Sequence, residues 1–112
     1  MVKSRSVPDR GEIIWIDFDP VRGHEERGRR PALVISPKYY NSRSGLVFVC
    51  PITSRVKNYP FEVPLLLDTV RGAVLVDHVR SVDWQARNTK YIERISEEIF
   101  KEVQAKLRSL ID

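Results

Sequence analysis

The sequence predicts a mainly β domain closed by one C-terminal α-helix, α+β by content, on three observations. Short apolar runs rich in Val, Ile and aromatic residues recur along the chain as far as Trp84. Polar segments carrying Pro, Gly and Asn separate them. The last stretch instead repeats its apolar residues at helical spacing. Many short strands followed by one amphipathic helix point to a small, strongly curved β-barrel or sheet with the helix packed on it.

Taken in order, Glu12 to Asp19 reads as a strand, with partial alternation, ended by Pro20. The polar segment Val21 to Arg30, with two glycines, reads as a long loop. Ala32 to Ser36 is a short apolar run closed by Pro37, a buried second strand. Lys38 to Gly45 is polar and turn-rich, with room for one helical turn at Tyr39-Tyr40-Asn41. Gly45 to Thr53 is the most hydrophobic stretch and is predicted to be a central strand. Pro51 has no N–H to give a ladder, so pairing is expected to change there and release Thr53-Ser54 into the loop Arg55 to Tyr59. Phe61 to Leu65 alternates and carries Pro64, as an edge strand would. Gly72 to Val76 is expected to lead a strand into Asp77-His78-Val79-Arg80, followed by a shorter one at Ser81 to Trp84. In the terminal helix Ser96 is the expected N-cap, with Glu97 and Glu98 in the first turn and Lys106 and Arg108 near the end. Ile99, Phe100, Val103, Leu107, Leu110 and Ile111 fall on one face.

A chain of 112 residues, 42% hydrophobic, suits one domain spanning 1–112 with its own core. No apolar run approaches the roughly 18 residues that cross a bilayer, and the N-terminus has no hydrophobic signal region. Cys50 stands alone and has no internal disulfide partner, so a cytoplasmic location is expected. The net charge is +4. Its distribution is one-sided: from Arg27 to Phe61 the bases Arg27, Arg29, Arg30, Lys38, Arg43, Arg55 and Lys57 meet no Asp or Glu. Clustered Lys and Arg attract phosphates and release their counterions, so a polyanionic partner fits. A merely solvated basic surface fits the charge alone equally well.

Three constellations bear on chemistry. The loop Arg22-Gly23-His24-Glu25-Glu26-Arg27-Gly28-Arg29-Arg30-Pro31 joins two apolar strands. Guanidinium forks suit phosphate oxygens and the charge that grows on a phosphorane. Glu25, beside arginines, would be ionised and able to take a proton from a ribose 2′-OH. A solvent-exposed turn of self-satisfying ion pairs is the competing reading. The second is Pro51-Ile52-Thr53-Ser54-Arg55, hydroxyls that either donate to a phosphate or close a turn on their own backbone. The third is Asp77-His78-Val79-Arg80-Ser81, where strand alternation sets Asp77 and Val79 against His78 and Arg80. A lone His at a strand end, or His24 in a loop, is more often structural than catalytic. No HExxH, Cys/His cluster, Walker loop or Gly-x-Ser-x-Gly elbow is present, so no metal and no cofactor is expected.

In sequence order these pieces resemble the MazF (PemK, Kid) family of toxin–antitoxin ribonucleases. The matching text is Arg10-Gly11-Glu12-Ile13-Ile14-Trp15-Ile16-Asp17-Phe18-Asp19-Pro20, Gly23-His24-Glu25 and Arg29-Arg30-Pro31-Ala32-Leu33-Val34-Ile35-Ser36. It continues with Pro51-Ile52-Thr53-Ser54, Tyr59-Pro60-Phe61-Glu62-Val63 and the run from Gly72 to Ser81. The resemblance implies an SH3-like small β-barrel, also the fold of CcdB, forming a homodimer with RNA in a basic groove at or near the interface. It implies metal-free, ribosome-independent cleavage within short sequences of single-stranded RNA such as mRNA, rRNA or tRNA, leaving a 2′,3′-cyclic phosphate and a 5′-hydroxyl. It also implies a cognate antitoxin whose acidic C-terminal segment covers the same surface. Position by position, Arg30 matches the family's catalytic arginine, Thr53 its catalytic hydroxyl and Glu25 its loop base. Ser54, Arg27, Arg29, Arg55 and Lys57 are expected to support or grip RNA. Asp77 and Arg80 stand where an acidic helper and an RNA-contacting base occur, and His24 has no assigned role. An arginine, with a pKa above roughly 12, is a poor acid, which leaves His78 or water to protonate the leaving 5′-oxygen. The alternative is a non-enzymatic toxin like the gyrase poison CcdB. That activity depends on a Trp-Gly-Ile ending, whereas this sequence ends Ser109-Leu110-Ile111-Asp112.

Overall fold

β-Branched and aromatic runs form seven antiparallel strands in a computed structural model that describes residues 6–18 and 28–112. The elements are β1 (Glu12–Asp17), β2 (Arg29–Val34), α1 (Lys38–Ser44), β3 (Leu46–Thr53), β4 (Glu62–Leu66) and β5 (Arg71–Leu75). A 3-10 turn (Val76–His78), β6 (Arg80–Asp83), β7 (Lys90–Arg94) and α2 (Glu97–Ile111) complete the order. The strands run β4-β5-β3-β2-β1-β7 in one curled sheet, with β6 also paired to β3. The mainly β architecture with a terminal helix is thus the one expected.

β3 is the strand around which the sheet turns. Its first half pairs with β6, from Leu46 opposite Asp83 to Val49 opposite Arg80. Its middle pairs with β2, ending at Pro51 opposite Ala32. Ile52 and Thr53 then pair with Val74 and Ala73 of β5. The change of partner falls at Pro51, as expected where an N–H is missing. β4 lies at the sheet edge, also as expected, with Pro64 exposed on it.

Alternation along the strands divides the core in two. Ile13, Leu33, Cys50, Ile52 and Val74 form one side, covered by Phe100 and Val103 of α2. Ile14, Ile16, Phe18, Ala32, Val34, Val49 and Val82 form the other, with Trp84. Each α2 anchor stabilises the docking by about 1.5–3 kcal/mol at the usual worth of a buried apolar side chain. The helix starts at Ser96, whose hydroxyl oxygen accepts the Ile99 N–H at 3.3 Å.

Four expectations need correction. β2 begins at Arg29 and β1 ends at Asp17, so Arg29 and Arg30 belong to a strand and not to a loop. Their ladder with Asp17 and Ile16 outweighs their polar character. Lys38–Ser44 is a full helix, stopped by Gly45 at φ 75. It is held by buried Asn41, which donates to the Pro8 and Ser36 carbonyls and accepts the Ser36 hydroxyl; the Asn41 carbonyl receives the Trp84 indole N–H at 2.8 Å. β7 was not anticipated, because Lys90, Glu93 and Arg94 make a charged segment; such charges suit an edge strand. Finally, Asp77 and His78 are not in a strand. The Val76 N–H donates to the Phe61 carbonyl at 3.0 Å as a last rung of the β4–β5 ladder. The Val79 N–H then bonds back to the Val76 carbonyl, which closes a 3-10 turn and cancels strand alternation there.

Candidate active site

The β2–β3 ladder runs out to Ala32 opposite Pro51, and Arg30 and Thr53 each lie two residues beyond that last pair, at neighbouring strand ends. Arg30 is also the partner of Ile16, so it extends the second apolar side beyond Ala32 and is half-buried there. Thr53 is buried, at 6% exposure. Its hydroxyl oxygen accepts the Arg55 N–H at 3.1 Å, which points its oxygen toward the loop and leaves the O–H proton for an acceptor. Thr53 thus closes a turn on its own backbone, and its O–H is not used in that bond.

Arg80 belongs to the same side. It pairs with Val49 in the β3–β6 ladder, and its guanidinium lies 5.5 Å from the ring of buried Phe18. A fork laid against an aromatic ring is held in orientation without losing its charge. Arg30, Thr53 and Arg80 thus rim one side of the sheet, a guanidinium–hydroxyl–guanidinium set suited to a phosphate diester.

The β3–β4 loop carries Ser54, Arg55 and Lys57, all exposed. Its shape comes from Glu62, buried at 6% exposure. The Glu62 carboxylate accepts the Lys57 N–H at 3.0 and 3.1 Å and the Asn58 N–H at 2.7 Å. Asn58 can then take φ 60, a left-handed conformation that Asn tolerates. The Tyr59 hydroxyl donates to Asp77 Oδ1 at 2.6 Å, tying this loop to the 3-10 turn. Asp77 is exposed and His78 half-buried on that turn. From α2, Lys106 donates to the Pro60 carbonyl at 2.6 Å.

Glu25, His24 and Arg27 lie outside the described residues. Arg29 is exposed on β2 and points to the opposite side from Arg30. An open cleft of about 320 Å³ is lined by both arginines, Arg29 and Arg30, together with Pro31, Ser54, Val70 and Arg71. Thr53 does not line it.

Two positions with evident structural weight escaped the reading of the sequence. Glu62 looked like the polar half of an alternating strand. Gly72 had no visible purpose; at φ 150 it packs against the Thr53–Ser54 backbone so closely that any Cβ would overlap the Thr53 carbonyl. Neither signal exists without knowledge of which segments touch.

The chain is similar to known proteins over nearly its whole length. The PemK-like, MazF-like toxin family of type II toxin–antitoxin systems matches residues 9–111. The endoribonuclease toxin MazF of Escherichia coli (strain K12) is 43% identical over 108 residues, covering 96% of this chain and 97% of that protein. The endoribonuclease toxin ChpB of the same organism is 38% identical over 118 residues, covering all of both chains. The crystal structure of MazF from Deinococcus radiodurans superposes with a TM-score of 0.91 at 48% identity, covering 96% of this chain and 98% of that one. MazF of the same organism in a MazE–MazF structure gives 0.84 at 44% identity, over 96% and 97% of the two chains. From its strand order to its full-length relatives, the chain belongs to the PemK-like, MazF-like toxins of type II toxin–antitoxin systems.

Proposed function

We propose that the protein is an endoribonuclease toxin that cuts single-stranded RNA at specific sequences and is neutralised by a cognate antitoxin. The observation that carries this is the similarity to the endoribonuclease toxin MazF over 96% of this chain, which spans the strand ends that carry Arg30 and Thr53. The solved MazE–MazF structures of the Deinococcus radiodurans relative support an antitoxin partner. An acidic extended segment is the chemistry that Arg30, Arg80, Arg55 and Lys57 would take. A homodimer, and a cytoplasmic location alongside the RNA, belong to the same reading. No described helix is long and apolar enough to cross a membrane.

In this mechanism the ribose 2′-oxygen attacks the adjacent phosphorus in line, and the bond from phosphorus to the 5′-oxygen breaks. Glu25 takes the 2′-OH proton. Arg30 neutralises the charge growing on the non-bridging oxygens, and the Thr53 hydroxyl donates to one of them. Arg80, braced by Phe18, supplies a second fork, and Ser54, Arg55 and Lys57 grip the strand. The 5′-oxygen takes its proton from His78 or water. The products are a 2′,3′-cyclic phosphate and a 5′-hydroxyl, and no step requires a metal.

The test is digestion of a long unstructured RNA by purified protein in EDTA, with the 5′ ends of the fragments sequenced. Cleavage at a recurrent short sequence with 5′-hydroxyl ends is expected, and Arg30→Ala should abolish it. Loss of cleavage in EDTA, or full activity in Arg30→Ala, rejects the mechanism.

A further inference from the structure

The side of the sheet opposite Thr53 carries a row of residues that the cleavage mechanism leaves unused, next to a cleft that it touches only through Arg30 and Ser54. The register sets Trp15 between Lys90 of β7 and Pro31 of β2, so these three side chains form a row on one side of three adjacent strands. Trp15 is 37% exposed, although β1 lies inside the sheet and is flanked on both sides. The Arg29 guanidinium lies 6.0 Å from its ring centroid and is anchored by donating to the Asn88 carbonyl at 2.6 Å. Beyond Pro31 the row runs into the cleft that Ser54 and Arg71 line.

We propose that this row and cleft form a second RNA-contact surface, which holds nucleotides flanking the scissile step. The inference rests on the endoribonuclease reading. An exposed indole beside a fixed guanidinium is a flat, cationic platform on which any base can stack, and Arg71 and Lys90 stand where neighbouring phosphates would lie. Continuity with the cleavage site follows from the chain itself. Thr53 points to one side of β3 and Ser54, the next residue, lines the cleft on the other, while Arg30 borders both. A strand leaving the scissile phosphate therefore needs only to cross the end of the β2–β3 pair to reach Arg71. Two carboxylates share the side: Asp17, opposite Arg29, and Glu93, which receives the Thr69 hydroxyl. Among the described residues Arg29 and Lys90 balance them on the row, and Arg71 adds a cation at the cleft. An acidic peptide would use these cations but gains less from the indole, which is why RNA is the occupant argued here.

The two tryptophans make the test direct, because Trp84 is 3% exposed and Trp15 is not buried. Uncleavable 2′-O-methyl RNAs would span a mapped cleavage sequence, one of about six nucleotides and one of about 20, longer than a single short binding site. Titration of the long RNA should quench the intrinsic fluorescence of the wild type, and Trp15→Phe should remove that quenching. Trp15→Phe keeps an aromatic ring, so its binding reports on a folded protein. Arg71→Ala should weaken the long RNA at least about 5-fold more than the short one, and lower the salt dependence of its binding by about 0.7 in log–log slope, the share of one phosphate. Equal effects on both lengths, an unchanged slope or quenching that survives in Trp15→Phe would overturn the proposal. So would an Arg71→Ala protein that binds both RNAs as the wild type does but has lost affinity for an acidic antitoxin peptide. Failure of the wild type to cut RNA at all is a separate result, and strikes the endoribonuclease reading itself.

Discussion

Gly72 has no side chain at the one place where β5 presses against the Thr53 carbonyl. A Cβ built there would overlap that oxygen, and would stand 2.9 Å from the Thr53 carbonyl carbon and 3.2 Å from the Ser54 Cα. All are backbone atoms, which have no rotamer through which to escape. Gly72→Ala must therefore push β5 away from the end of β3, where Thr53 pairs with Ala73. The backbone conformation, at φ 150, adds strain to the clash. Destabilisation of about 1–3 kcal/mol is expected, the usual cost of overpacking. Cleavage should fall by more than the folded fraction accounts for, because the displaced residue is Thr53. Chemical denaturation and single-turnover cleavage measured on one sample separate the two effects; equal losses in both would leave Gly72 a stability residue only.

Why Thr53 was legible in the sequence and Gly72 was not follows from the range of the forces involved. Pro51 removes a ladder N–H locally, so a change of pairing just beyond it could be read from the chain, and the β3-to-β5 transfer occurs there. The α2 face from Ile99 to Leu107 was legible for the same reason, since its spacing is a property of adjacent turns. Leu110 and Ile111, expected on that face, are instead exposed at the helix end. Asp77 and His78 lie outside a strand because the chain turns just past the last β4–β5 rung, where the Val79 N–H bonds back to the Val76 carbonyl. The β7 strand was invisible because its pairing with β1 is set by tertiary contact and its residues are largely charged. The separation of Arg29 and Arg30 onto two sides of β2 appears only once they are known to be a strand.

Glu62 organises the loop that presents Arg55 and Lys57 without reaching RNA itself. Replacing it by Ala leaves the Lys57 and Asn58 N–H groups without their acceptor, while Gln keeps one carbonyl oxygen and brings an amide that clashes in polarity with the second donor. A loss of about 1–3 kcal/mol is expected for Glu62→Ala, and less for Gln. Amide exchange at Lys57 and Asn58 should accelerate ahead of the sheet. If those two amides exchange with the core in Glu62→Ala, the carboxylate does not shape the loop.

Cys50 sets an alkaline limit on stability. Burial pushes its thiol up to about 12 from an ordinary 9.0, and the nearby negative charge of Asp77 adds to the shift. Between those two values the unfolded chain has released a proton that the folded one retains, so stability falls as pH rises. The slope contributed by this one group reaches at most about 1.4 kcal/mol per pH unit. Cys50→Ala should lower stability at neutral pH through the lost packing, yet show a flatter decline above pH 9.0. Urea midpoints of both proteins between neutral and alkaline pH provide the measurement, and parallel curves would contradict it. The native thiol should also resist aromatic disulfide reagents until the protein unfolds.

Arg30→Lys separates charge from geometry at the proposed site. Both side chains are cations, so electrostatic attraction of RNA should survive and affinity for an uncleavable RNA should fall by only a few fold. The planar fork is lost, and with it simultaneous contact to two phosphate oxygens as charge grows between them. A loss of about 10²–10³ in the cleavage step is expected, the scale of removing one oriented donor from a developing anion. Thr53→Val, which keeps the shape of the side chain but removes the donor, should produce a loss of similar kind. It should also free the Arg55 N–H, which now donates to the Thr53 hydroxyl. Single-turnover rates at saturating RNA isolate that step from binding. If Arg30→Lys instead weakens binding and leaves the saturated rate intact, Arg30 holds the strand and another group carries the transition state.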